Sequence, residues 1–244
     1  MLKKTREFYE LTRLTEEGRR EKMAQQVPLT FVKIFHKKYP RLKKTRLPKR
    51  YPPKELDDLF KARKSERNFC EKSLSFYQVA EVLHSCRILN AKNYSERRTY
   101  PSGGARFPVE VYFLALNVKG IENGAYHYDM VGDCLEALVL DNLKKRSREL
   151  FSPYVTNAAA GIVLTSVISR SEIKYLHKAL PFSYIEAGHM GQNIVLTCAK
   201  RKIGCCPICG FVDDTLKEIL DLTDDEIPLY VMGLGIGKGA SNAD

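Results

Sequence analysis

The 244-residue chain is 44% apolar and 28% charged, a balance that permits one large or two small globular domains, needs no disulfide staples and excludes a disordered chain. No apolar run approaches the ~20 residues of a membrane span, and the basic start "MLKKTREFYELTRLTEEGRR" lacks the apolar stretch of a signal peptide. The formal charge of +11 lies wholly in residues 1–50, which hold 16 Lys and Arg against 5 Glu, whereas the rest of the chain carries 24 of each sign.

Residues 3–24 read as one charged amphipathic helix, followed by the Pro-punctuated basic arm that ends in "KKYPRLKKTRLPKR". Such an arm suits nucleic acid, anionic lipid or an acidic protein partner. It reads more readily as a solvated segment that packs Pro40, Leu42 and Leu47 against the body. Pro52-Pro53 close the arm, dividing residues 1–50 from a body at 51–244, and 55–63 predicts a short helix. Ser75 with Gln78 forms a capping box opening the helix "FYQVAEVLHSCRIL". "PVEVYFLALNV" (108–118), "AYHYD" and "CLEALVL" are rich in β-branched and aromatic residues. Asn123-Gly124 and Val131-Gly132-Asp133 separate them, so they predict a strand meander. "AAAGIVLTSVIS" (158–169) reads as a helix end leading into a buried strand. Ser183 to Lys202 predicts a long helix in which Ala187, Gly188 and Gly191 mark a crowded core or a subunit interface. "DDTLKEIL" is a short helix with acidic residues where the macrodipole favours them, and "PLYVMGLGIG" is a final strand. Helices and strands mix without regular β-α-β alternation, so the fold class is α+β.

Three segments carry candidate chemistry. "GCCPICGFVDD" (204–214) crowds Cys205, Cys206 and Cys209. A structural zinc would need four ligands, with only Cys198 and His189 nearby to complete the set, and His189 reads more readily as a core or interface histidine. A thioredoxin-like pair would open a helix after a strand, whereas this pair follows a helix. Seven cysteines, an odd number, fit reduced thiols in the cytoplasm. "RKSER" (63–67) places Arg63, Lys64, Ser65 and Arg67 together: two cations and a hydroxyl for a phosphate, and a permanent cation beyond them. "RRTYPSGGARFPVEVYFL" supplies Ser102-Gly103-Gly104, a backbone that can approach a flat ligand or form a plain turn.

Taken together, these segments resemble the FMN-dependent nitroreductase superfamily, and within it the SagB-type dehydrogenases that oxidise azolines to azoles in thiazole/oxazole-modified peptides. "FYELTRLT" and "LTFVKIFHKKYPRLKKTRLP" (29–48) are similar to that family's preface, and "ARKSERNF" to its Arg-x-Ser-x-Arg opening. "PSGGARFPVEVYFLALNVKGIENGAYHYD" is similar to "PSAGALYPLELY…GLYHYD". "YIEAGHMGQNIVLTCAKRKIGCCPICGF" is similar to "EAGHxxQNLxLxAxxLGLGxxPIGGF".

The resemblance implies a nitroreductase-like fold, with a central, mostly antiparallel sheet flanked by helices, in an intertwined homodimer. It implies an FMN-binding domain over 51–244, with FMN as cofactor and NADH or NADPH as a transient co-substrate. Arg63, Lys64 and Ser65 would then bind the FMN phosphate and ribityl chain, Lys238 would reach the phosphate, and Arg67 would face the N1/O2 edge. Pro207, Ile208, Cys209 and Gly210 would present backbone to the ring, including an N–H to N5. Pro101, Ser102, Gly103 and Ala105 would come from the partner subunit. Lys174-Tyr175 matches a pair implicated in proton removal, although the family continues with Gly where this chain has Leu176. The resemblance leaves two activities open, azoline oxidation within a peptide-modifying complex and stand-alone NAD(P)H-dependent reduction of nitro, quinone or enone compounds. A nucleic-acid module built on the arm ranks below both, because the arm lacks the regular aromatic spacing of single-strand binders.

Overall fold

Alternating β-branched and aromatic residues in the middle of the chain build a six-stranded antiparallel sheet, and the apolar stripes of the helices cover both its faces. The computed structural model describes residues 1–24, 36–92 and 95–238. In chain order come α1 (Lys3–Thr12), α2 (Glu16–Ala24), α3 (Lys54–Ala62), β1 (Leu74–Ser75), α4 (Phe76–Leu83), β2 (Ile88–Lys92) and β3 (Ser95–Arg98). They are followed by β4 (Val109–Ala115), β5 (Val118–Lys119), β6 (Gly124–Asp129), β7 (Cys134–Val139), α5 (Ser147–Leu150) and β8 (Ala160–Val167). The last elements are α6 (Ser169–Tyr175), α7 (Ala179–Lys200), β9 (Gly204–Ile208), α8 (Asp213–Ile219) and β10 (Glu226–Gly235). The main sheet has the order β7-β6-β4-β8-β10-β9, with each neighbouring pair antiparallel.

Strand alternation divides the core in two. One cluster joins Val79 and Val82 of α4 and Met190 and Ile194 of α7 to Phe113, Ile162 and Cys205. The other gathers Leu150, Phe151 and Leu216 against Leu114, Val163 and Cys206. Neighbouring cysteines of β9 thus belong to opposite faces of the sheet, and Cys209 lies beyond them, exposed.

The meander and the capping box form as predicted. The Ser75 hydroxyl accepts the Gln78 N–H, and the Gln78 side chain accepts the Ser75 N–H. Four boundaries differ. The helix expected over 3–24 breaks at Arg13–Thr15, because the Leu14 N–H donates to Asp213 (2.9 Å) and the Leu14 carbonyl accepts the Asp213 N–H (3.1 Å). Thr15 then caps α2 by accepting the Gly18 N–H. The helix expected after Ser75 ends at Leu83, where a 3-10 turn leads to the β2–β3 hairpin. In the 158–169 segment no helix precedes β8. β8 takes its apolar residues between β4 and β10, and the Phe151 ring fills the place a Cβ on Gly161 would need. α7 starts four residues earlier than expected, because Pro181 falls in its first turn, where no intrahelical N–H is required.

The arm also departs from the packed reading. Residues 36–50 are exposed, with Leu42 at 61% and Leu47 at 89%, so Pro40, Leu42 and Leu47 do not rest on the body. Residues 29–35 of the family-like preface lie outside the described residues. No helix among the described residues is long and apolar enough to cross a membrane.

Candidate active site

The "RKSER" segment is extended and lies beside β9. Ser65 pairs in parallel with Cys205, and the Glu66 N–H donates to the Cys205 carbonyl (2.9 Å). Further on, Phe69 is fully buried where Cβ atoms on Gly204 and Gly235 would collide with its ring, which fixes the segment on the sheet. An extended backbone alternates its side chains, and the cavities follow that alternation. Arg63 and Ser65 line a cavity of about 350 Å³ with Gly188, Gly191, Gln192, Pro207 and Tyr230. Arg67 lines an adjoining one of about 230 Å³ with Tyr154, Pro207, Ile208, Cys209 and Gly210. Pro207 belongs to both. Lys64 points the other way, pairs with Glu66 at 3.1 Å and lines a third cavity with Lys202 and Gly237. Lys238 is brought alongside by its backbone, its N–H donating to the Asn68 carbonyl (3.2 Å).

Open space and free charge mark this region. A Cβ at Gly188 or Gly210 would meet no atom within 4 Å. Arg63 and Arg67 are exposed and make no ion pair among the described residues. The Cys209 thiol, though exposed, is pushed up by partial desolvation, and the buried Cys206 is pushed up mainly by its burial. Both are therefore poor thiolates, and the bend offers its backbone more readily than its sulfur.

Pro101, Ser102 and Gly103 lie elsewhere in the chain. They line a cavity of about 260 Å³ with Phe182, Ile185, Glu186 and His189. His189 is exposed there, which corrects its reading as a core histidine and leaves the interface reading. The loop is tight: Gly104 and Ala105 both have left-handed backbones, at φ 61° and 53°, and the Phe107 N–H donates to Ser102 Oγ at 2.9 Å. This loop meets the predicted proton-handling pair. A Cβ on Gly104 would overlap the Tyr175 hydroxyl and stand 3.1 Å from Lys174 Nζ. Tyr175 packs edge-on against Phe182 with centroids 4.9 Å apart, and Lys174 Nζ lies 5.4 Å from the Tyr175 ring centre.

The site residues therefore form two groups flanking the exposed face of α7, which carries Tyr184, Ile185, Gly188, His189 and Gln192. One holds Arg63, Ser65, Arg67 and the 207–210 bend; the other holds the 101–105 loop and Lys174-Tyr175. Residue reading did not assign Gln192, Tyr230, Phe182 or Glu186 to either group. The "EAGHMGQN" pattern held a signal for two of them, since Glu186 opens it and Gln192 is one of the two polar residues that close it.

Leu176 ends α6 with φ 49° and ψ −131°, a conformation in which a Cβ is strained and glycine is not. Its side chain is 62% exposed, so little packing compensates. Leu176→Gly is expected to stabilise the fold by about 1–2 kcal/mol and to raise Tm by about 2–8 °C in a thermal melt. An unchanged or lower Tm would show that the backbone there is relaxed.

The fold is that of the nitroreductase superfamily, a class of oxidoreductases. The chain belongs to the Nitroreductase family, whose pattern it matches over residues 60–236. It is 27% identical to the Microcin B17-processing protein McbC of Escherichia coli over 176 residues, covering 69% of this chain and 65% of that one. It is 23% identical over 184 residues to a candidate nitroreductase of Methanocaldococcus jannaschii, covering 74% and 90% of the two chains. Among solved structures, the E. coli microcin synthetase McbBCD complex with truncated pro-MccB17 bound has a chain that superposes with a TM-score of 0.75 at 22% identity, covering 94% of this chain and 90% of that one. The likeness to McbC bears out the SagB-type resemblance within the family.

Proposed function

We propose that this chain is an FMN-dependent dehydrogenase that acts as a homodimer and oxidises azoline rings in a modified peptide to azoles. The observation that carries the reading is the meeting of Arg63, Ser65 and Arg67 with the Pro207–Gly210 bend around two joined cavities. FMN fits these residues. Two arginines without an ion-pair partner among the described residues stand beside the open space over Gly188 and Gly210, which suits an anionic tail and a flat ring.

In this reading Arg63 and Ser65 hold the phosphate, with Lys238 alongside, and Lys64 contributes charge from the opposite side of the strand. Arg67 would hold the ring edge where negative charge accumulates, and the Cys209 backbone N–H would serve as a fixed donor to the ring. FMN, when bound, would supply a two-electron acceptor for hydride. The azoline loses that hydride from one ring carbon and a proton from its neighbour, leaving a new double bond. Tyr175 Oη or Lys174 Nζ receives the proton. Pro101, Ser102, Gly103 and Ala105 bring this pair to the cofactor held by the other protomer. The peptide substrate follows from the likeness to a microcin-processing protein. The exposed arm, with eight Lys and Arg in residues 37–50, is the docking element for an acidic protein partner. Seven free thiols accord with a cytoplasmic protein.

The purified protein is expected to be yellow and to release FMN on denaturation. A colourless protein that takes up no added FMN would end the reading. The Methanocaldococcus relative favours the second activity, NADH- or NADPH-dependent reduction of nitro, quinone or enone compounds. Anaerobic titration with each nicotinamide, set against turnover of a synthetic thiazoline peptide, separates the two.

A further inference from the structure

Glu186 sits mid-way along α7 and is 2% exposed, yet its Oε1 is buried with no hydrogen-bond partner. A buried carboxylate with an unsatisfied oxygen is costly, and an apolar residue of similar size would avoid that cost. The carboxyl lines the cavity beneath the 101–105 loop. Burial is the chief cause that raises it to about 7. The Ser102 hydroxyl, the Val109 N–H and Arg98 draw it back down, and Glu110 adds to the rise. Arg98 is already engaged by Glu96 and by Tyr100 Oη (2.8 Å), and it stacks on Phe107 at 4.4 Å. His189, one turn along α7, lines the same cavity.

Ser102 ties the loop together. Its Oγ accepts the Phe107 N–H (2.9 Å), and its carbonyl accepts the Ala105 N–H (3.1 Å). An oxygen that accepts from Phe107 has its own proton to give to a carboxylate below. The turn so fixed presents Gly104 to Tyr175 Oη and Lys174 Nζ.

We propose that Glu186 is a positioning residue whose ionisation controls the active-site loop: as a carboxylate it takes the Ser102 hydroxyl proton in a hydrogen bond and holds the loop against Lys174-Tyr175, and on protonation it relaxes that hold. The inference rests on the reading of that loop and pair as part of the active site. The direction is fixed by charge: the loop is anchored above neutral pH and loosened below it. Arg98 and Glu110 set where the change falls, by opposing effects of charge.

The test follows the Tyr175 signal by NMR in the full chain carrying [ζ-13C]tyrosine, the line being identified by its loss in Tyr175→Phe. In the wild type it should shift with pH through one midpoint near neutrality. In Glu186→Gln it should stay flat over the same range. In Ser102→Ala it should also be flat, while [δ-13C]glutamate spectra still show a carboxyl titrating near neutrality. A Tyr175 line that does not move in the wild type, or that moves alike in wild type and Ser102→Ala, overturns the proposal, and Ser102→Ala decides if Glu186→Gln fails to fold. None of this needs flavin. A protein that takes up no FMN but passes would sink the cofactor reading alone, and a yellow protein that fails would sink this one alone.

Discussion

On the proposed FMN reading, Gly188→Leu is expected to leave the chain folded, raise its thermal stability and lower its affinity for FMN by at least about 100-fold, since a leucine would occupy the space that reading gives the ligand. Gly188 is exposed on α7, and a Cβ there meets nothing within 4 Å, so the substitution creates no clash within the chain. Glycine inside a helix costs about 0.5–1 kcal/mol relative to better helix formers, so the apo protein should melt about 1–4 °C higher. The larger side chain would project into the cavity shared by Arg63, Ser65 and Pro207. Equilibrium dialysis against FMN and a melt of the apo protein give both numbers. Gly188→Ala is the control: it should gain the stability and keep more of the affinity. Should Gly188→Leu bind FMN like the wild type, that cavity is not where the cofactor lies.

Much of this was legible in the residues because it is local. The Ser75–Gln78 cap, the turns of the β4–β6–β7 meander and the acidic start of α8 each rest on neighbours a few positions apart. The "RKSER" spacing was legible as a group, but not its division. Only once the segment lies extended beside β9 does Lys64 turn from Arg63 and Ser65 towards Glu66. Where distant groups decide the outcome, local pattern failed. The break at Leu14 depends on Asp213, 199 residues away, and Phe151 sets the need for Gly161 in β8. The contact of Gly104 with Tyr175 likewise joins residues with no shared pattern. The burial of Glu186 is hidden for another reason: a charged residue on a helix reads as surface unless its face is known.

Co-expression of Arg67→Ala with a Lys174→Met/Tyr175→Phe double variant is expected to restore about a quarter of wild-type oxidation of a thiazoline peptide, although each variant alone should be nearly inactive. The two groups of site residues lie on either flank of α7. The Gly104 contact ties Tyr175 to the 101–105 loop of its own chain. Arg67 lines a cavity with the 207–210 bend of its own chain. If the loop serves the partner's cofactor, Tyr175 must go with it, because separating the two would break the loop's packing. A mixed dimer then has one site with both defects and one with neither. Random pairing makes about half the dimers mixed, so about a quarter of all sites are intact. If Tyr175 instead served the cofactor of its own chain, each site in a mixed dimer would carry one defect and no activity would return. Tagging the two variants differently and purifying through both tags should raise the recovered activity to about half of wild type per dimer. Failure to rise above either variant alone would place Arg67 and Tyr175 in the same site of the same chain, and the loop would lose its role in closing the partner's pocket.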